Sequence, residues 1–359
     1  MPRRTATLLA STLTLIVLLS VALIARAPYA EMSPGPTVNT LGDYAGDTVI
    51  QITGRKTYPA SGHLNMTTVR VTGADYSMNL VEAVLGWARH DDKVVEHDTL
   101  YPQGQTAEQA DQENAEEFSQ SQDSAKVAAL KELSIPVGSR VIVATVVKGA
   151  ASEGVLHAGD EIKAVDGTQV KEADQVAGLV TKHKPGEKVV FTIVPAAEVK
   201  KPAGQQTPQQ VTITTRVSHD QGPRRAVVGI SAGIEHIYPF TIDIKLADVG
   251  GPSAGMMFAL GIIDKLTPGD LTGGKFVAGT GTIDDTGNVG PIGGISLKTI
   301  GARDKGAKYF LTPADNCEEA AKDIPSGLTL VKVKTLDDAM AALKDIKSGN
   351  VAALPSCKS

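Results

Sequence analysis

Residues 5–25, TATLLASTLTLIVLLSVALIA, carry no charge, and only Ser and Thr interrupt the apolar run. A secretory signal's apolar core spans about 7–15 residues, whereas a bilayer-crossing helix needs about 20. The run therefore predicts an uncleaved signal-anchor or transmembrane segment over residues 1–30, with cleavage near Ala27 or Ala30 as the alternative. Beyond it the pattern alternates. DTVIQITG (47–54) and NMTTVRVTG (65–73) read as strands, while residues 31–47, rich in Pro, Gly and Thr, read as a juxtamembrane linker. Residues 77–90 have helical spacing, and residues 106–133 read as a polar helix that turns amphipathic. In this N-terminal region, 31–123, the sequence marks no chemistry.

Residues 138–217 change character. GSRVIVATVV is strand-like, Asp166-Gly167 is a tight-turn signal, and Glu172 to His183 reads as a helix. The segment ASEGVLHAGDEIKAVDGTQV resembles the core of a PDZ domain, which sets this domain at 124–220. That resemblance implies a groove beside the helix into which a peptide adds as an extra strand. The glycine-rich loop that captures a peptide's terminal carboxylate is not evident before Val141, where only Gly138 stands. Strand addition is thus implied, and terminus-specific capture is not.

From residue 225 to 349 strands alternate with helices and glycine-rich turns, and residues 350–359 form a tail. DVGGPSAGMM (248–257) places Ser253 at the mouth of an apolar helix. A serine there fits an N-cap. It also fits a nucleophile, because the positive helix end stabilises an anion and Gly250 and Gly251 admit a substrate backbone. A nucleophilic serine needs a base. None of His63, His90, His97, His157, His183, His219 and His236 sits in a motif that marks one, and no histidine follows Ser253. This excludes the hydrolase elbow that Gly251-Pro-Ser253-Ala-Gly255 formally matches. The remaining base is Lys298, which follows a glycine-rich turn among Ile295, Leu297 and Ile300. Burial among apolar neighbours lowers an amine's pKa and makes it a base.

GPSAG, TGTI (280–283), GNVGPIGGISLK and YFLTP, in that order, are similar to the motifs of Lon-type serine–lysine proteases. The resemblance implies Ser253 as nucleophile and Lys298 as general base. Thr280 would bond the lysine amine, and amides around Gly251 and Ser253 would form the oxyanion hole. Gly250 stands where many Lon enzymes carry an acid, so regulation through that acid is not implied. Anchor, PDZ module and Lon-type domain together resemble the small YlbL-like PDZ–Lon proteases of bacterial envelopes.

The expected fold class is an α/β (α+β) Lon-type proteolytic domain preceded by a β-rich PDZ domain and an N-terminal transmembrane helix. The expected function is ATP-independent serine endopeptidase action on unfolded or flexible extracytoplasmic polypeptides. The alternative is a catalytically silent scaffold that binds an envelope partner, and a third reading is a protease that mainly clips itself. A formal charge of −5 and 4% aromatics exclude a nucleic-acid binder. No G-x-x-x-x-G-K-[ST] occurs, and the glycines of GTGTIDDTGNVG lack dinucleotide spacing, so no nucleotide is expected. Neither is a metal or other cofactor. Arg3 and Arg4 precede the span and only Arg26 follows it closely, which puts residues 31–359 outside the cytoplasm. There Cys317 and Cys357 are candidates for a disulfide pinning the tail. A homo-oligomer is possible, Lon-like rings being usual in the family.

Overall fold

The computed structural model describes residues 3–89, 91–218, 224–246 and 249–357; His90, His219 and Asp248 lie outside them. Helix α1 (Arg3–Ile24) has no buried residue and is long and apolar enough to cross a membrane. The chain then enters strand β1 (Tyr29–Asn39), followed by β2 (Ile50–Thr53), β3 (His63–Val71), α2 (Leu80–Ala88), β4 (Lys93–Glu96) and the long helix α3 (Ala107–Glu132). The linker expected over 31–47 is corrected, since β1 pairs antiparallel with both β3 and β4. Its prolines misled the composition reading. Pro34 and Pro36 fall at a register shift, beyond Met32 where pairing with β4 stops, so no ladder bond needs their missing donors. Asn65, which opens a glycosylation triplet, is buried in β3.

The next strands are β5 (Gly138–Val146) and β6 (Glu161–Val165), then helix α4 (Ala173–Val180), then β7 (Lys188–Val194), β8 (Gln209–Thr214) and β9 (Ile230–Ile237). They form an antiparallel sheet in the order β8-β7-β6-β5-β9. Asp166 and Gly167, with φ of 49° and 76°, make the two-residue turn that leaves β6. Val143, Leu156, Val165, Val189, Phe191 and Ile213 fill the core under α4.

Strand β10 (Thr241–Ile244) returns to pair with β2. It is followed by α5 (Gly255–Leu266), β11 (Phe276–Gly279), α6 (Ile295–Asp304), β12 (Tyr309–Pro313), β13 (Thr329–Val333) and α7 (Leu336–Ser348). The principal sheet runs β13-β12-β11-β3-β1-β4, with β11 parallel to both β3 and β12. Every residue of α5 except Lys265 is buried, as its apolar sequence requires. A disulfide joins Cys317 to Cys357 and closes a 40-residue separation. By chain entropy alone such a loop contributes about 3–4 kcal/mol. It holds the tail where Lys332 donates to the Pro355 carbonyl beside β13.

The strands of the N-terminal region and of the Lon-like region thus share one sheet. The chain divides into Met1–Ile135 with Phe240–Ser359, and Pro136–Pro239. The smaller unit is inserted into the larger one instead of preceding it, and its bounds differ from the expected 124–220. Residues 124–132 complete α3, and β9 adds a strand beyond residue 220.

Candidate active site

Ser253 lies in the turn before α5. The helix N-cap is Ala254, which makes no side-chain capping bond, so Ser253 does not serve as the cap. Two features hold the turn. Gly251 takes a left-handed φ of 79° that only glycine adopts freely, and Gly255 has no room for a Cβ, which would stand 2.9 Å from both Ile283 and the Ser121 hydroxyl. Helix α3 can therefore run close beneath it. Ser121 Oγ donates to the Pro252 carbonyl at 2.8 Å, and the Gly251 amide donates to the Asn114 carbonyl at 3.0 Å. Phe118 of α3 meets Phe258 of α5 edge to face, ring centres 5.9 Å apart.

Lys298 sits in the second turn of α6. Gly294, with φ of 68°, ends the glycine-rich turn and accepts the Lys298 amide. Asn316 clasps that turn, accepting from the Ile292 amide and donating to its carbonyl, each at 2.9 Å. Ile295 and Leu297 are buried beside the lysine, whose side chain is carried inward, leaving the residue 2% exposed. There Lys298 Nζ donates to Ser253 Oγ at 2.8 Å and to Thr280 Oγ1 at 3.1 Å. Among the described residues no histidine bonds to either Ser253 or Lys298.

Thr280 follows β11 and is fully buried. Its hydroxyl donates to the Ser253 carbonyl at 3.0 Å, and the Gly281 amide donates to the same oxygen at 2.9 Å. Because the Thr280 proton is committed there, its oxygen faces Lys298 as an acceptor only. The lysine must give Thr280 an N–H, which turns its remaining positions toward Ser253. Desolvation pulls the Lys298 pKa from 10.5 down to about 7. The amine is then substantially neutral near neutral pH.

The structure brings Ser253, Lys298 and Thr280 into one hydrogen-bonded cluster and sets Cys317–Cys357 apart from it as a structural bond. Gly251 differs from its expected role, since its amide is engaged by Asn114 and is not presented to an oxyanion in this geometry. Asn114, Ser121 and Asn316 were not foreseen. No short motif marks them, and Ser121 lies 131 residues from the carbonyl it holds.

The smaller unit carries a cavity of about 610 Å³ between α4 and β9. Ala173, Val176, Ala177 and Val180 form one wall, with Ile230 and Ala232 on the other. Gly229, with φ of 80°, precedes the strand, and a Cβ there would overlap Ala150. The groove strand is therefore β9, with a glycine directly before it, and not the segment before Val141 where the sequence directed attention.

Residues 247–344 match the Lon protease (S16) C-terminal proteolytic domain, and residues 111–201 match a PDZ domain. The second match ends before β9. Lon protease of Azospirillum brasilense is 38% identical over 93 residues, covering 25% of this chain and 11% of that protein. Lon protease 1 of Sorangium cellulosum is 36% identical over 101 residues, 27% of this chain and 12% of its own length. The chain thus spans about a tenth of these relatives. The PDZ domain of an SdrC-like protein from Listeria innocua aligns with 25% of this chain and 90% of its own, at 22% identity and a TM-score of 0.21. The chain carries a Lon-type proteolytic domain and a PDZ domain, and these matches support a serine peptidase.

Proposed function

We propose that this protein is a membrane-anchored serine–lysine endopeptidase that cleaves unfolded or flexible extracytoplasmic polypeptides without ATP. The observation that carries the reading is the buried contact of 2.8 Å between Lys298 Nζ and Ser253 Oγ. A solvated helix lysine or a capping serine has no use for that geometry.

In the reaction, neutral Lys298 takes the Ser253 proton as Oγ attacks the peptide carbonyl carbon. The ammonium then returns the proton to the departing amine nitrogen, leaving an acyl ester on Ser253. Water, deprotonated by the same amine, hydrolyses the ester and restores both groups. Negative charge on the carbonyl oxygen is met at the N-terminal end of α5, where helix amides and dipole converge. Gly251 contributes its amide only after leaving Asn114. Thr280 keeps the lysine aimed and touches no substrate.

Extended substrate segments add along β9 in the PDZ groove, where apolar walls take alternate side chains. Two features support an extracytoplasmic location. Arg3 and Arg4 precede the apolar helix, and a disulfide is the usual state of a cysteine pair in an oxidising compartment.

The test is casein hydrolysis by the detergent-solubilised full chain without ATP, wild type beside Ser253→Ala and Lys298→Ala. Cleavage by wild type alone, with Ser253 labelled by a serine-reactive probe, is expected. Equal cleavage by all three would assign the activity to a contaminant. Absent cleavage together with an unlabelled Ser253 would leave a binding scaffold.

A further inference from the structure

Helix α2 has its residues the wrong way round for a soluble protein. Its buried positions are Ala83 and Gly86, while Leu80, Val84, Leu85 and Trp87 stand 43%, 56%, 52% and 56% exposed. The packing explains the small side: a Cβ on Gly86 would come within 2.5 Å of Val94 on β4. The large apolar residues are left facing outward, with Leu80, Val84 and Trp87 aligned at helical spacing on one stripe. Glu82, the one acid on α2, is tied back into the cap, bonding the Asn79 amide and the Tyr76 hydroxyl.

The place of this stripe says what covers it. The end of α1 is fastened directly to the start of α2. Leu80 N donates to the Ala25 carbonyl at 3.3 Å, Ala27 N donates to the Met78 carbonyl at 2.8 Å, and Arg26 bridges to Asn79. At about 1.5 Å per residue, the 22 residues of α1 span roughly 33 Å, against about 30 Å for a bilayer's hydrocarbon core. The junction with α2 therefore falls at the lipid boundary. Tyr29 and Trp87 pair there edge to face, at a centroid separation of 5.2 Å, and Tyr76 is exposed nearby. Such rings favour the interfacial layer. Arg89 at the end of α2 is paired with Glu31 and Asp92, so the seat is apolar and aromatic in character.

We propose that α2 lies in the interfacial layer of the bilayer and seats the larger unit on the lipid surface as a second attachment beside α1. The proposal rests on the reading of α1 as a membrane anchor. It replaces a catalytic unit swinging on a tether with one held at two points, its dyad at a fixed distance from the lipid.

Trp87 is the chain's only tryptophan, so its emission reports on α2 without labelling. The full chain would be reconstituted in phosphatidylethanolamine–phosphatidylglycerol vesicles, with and without brominated acyl chains, and flotation scored in parallel. An interfacial helix buries its apolar side about 5–10 Å into the headgroup–acyl boundary, so bromine should remove roughly half or more of the Trp87 emission. The doubly substituted Val84→Ser, Leu85→Ser chain should still float but lose most of that quenching. Both positions are exposed, so the fold does not depend on them. Flotation with unquenched, water-like emission would overturn the proposal alone. Blue-shifted emission without quenching would overturn it in favour of a protein partner. Failure to float would bring down the anchor reading, and this one with it.

Discussion

The dyad of the larger unit and the groove of the smaller one bury opposite things. At the dyad a polar cluster is sunk among apolar residues, and an amine is held by two hydroxyls in a place that disfavours its charge. At the groove the buried matter is apolar, and the polar groups on offer are main-chain N–H and C=O along β9, which ends its sheet. One arrangement acts at a single point and fails when an atom moves. On the proposed reading the other would accept varied sequences, because strand addition reads backbone first and side chains second. Damage to the dyad should therefore slow every substrate equally. Damage to the groove should matter only for chains long enough to use it.

The sharpest break is at Lys298. Lys298→Met should lower kcat by roughly 10⁴-fold for long and short substrates alike, the upper range for loss of a general base. In the wild type, only the neutral amine acts, so kcat should fall tenfold per pH unit below about 7 and level off above it. Stability should also rise with pH, over a higher window. The folded pKa lies below the unfolded 10.5, so the unfolded chain binds more protons between about 7 and 10.5, and wild-type stability rises with pH across that window. Below about 7 the folded protein bears the full cost of a buried charge, of order 4–5 kcal/mol at most. Lys298→Met should therefore melt higher than wild type at pH 6. Near pH 10.5 the order should reverse, because the Ser253 and Thr280 hydroxyls have lost their partner, at about 1–3 kcal/mol. Denaturation at the two pH values checks this, and a variant less stable at both would refute the buried-charge account.

Thr280 is a gentler probe of the same cluster. Thr280→Val keeps the shape and removes the hydroxyl, leaving a buried lysine N–H without its acceptor. A cost of about 1–3 kcal/mol corresponds to a kcat loss of roughly 10–100-fold, with KM nearly unchanged. An acceptor favours the ammonium form, so its loss should move the midpoint of the pH–rate curve downward. An upward shift would mean that Thr280 does not bond the amine in solution.

What could be read from the sequence follows the same division. Ser253, Thr280 and Lys298 lie in short stretches whose glycines, prolines and order along the chain point to their chemistry. Asn114 and Ser121 each act through one long-range bond and Asn316 through two to Ile292, and none of these leaves a local pattern. The inserted unit was hidden because a reading along the chain treats residues 31–123 as separate, whereas β1 and β3 are inner strands of the sheet that carries β11. Pro34 and Pro36 deepened the error, since their tolerance depends on where β4 stops pairing. At the groove, the glycine was sought before Val141, yet the groove is edged by β9, which follows far later in the chain and lies beside β5 only in the fold.

The smallest effect expected is at Ala177, an exposed residue of α4 that lines the groove. Ala177→Glu puts a charge among apolar walls without touching the core, so the unit should keep its fold. Losing a few apolar contacts to an added strand costs about 1.4 kcal/mol, or roughly tenfold in affinity. KM for an unfolded protein should rise by about that factor while kcat stays level. A short peptide should show neither change, and a serine-reactive probe should label Ser253 at the wild-type rate. If labelling slows along with protein cleavage, groove and dyad are not separable in the way their opposite construction implies. If KM for the long substrate does not move, recruitment runs through some other surface, and the apolar groove beside β9 has another occupant.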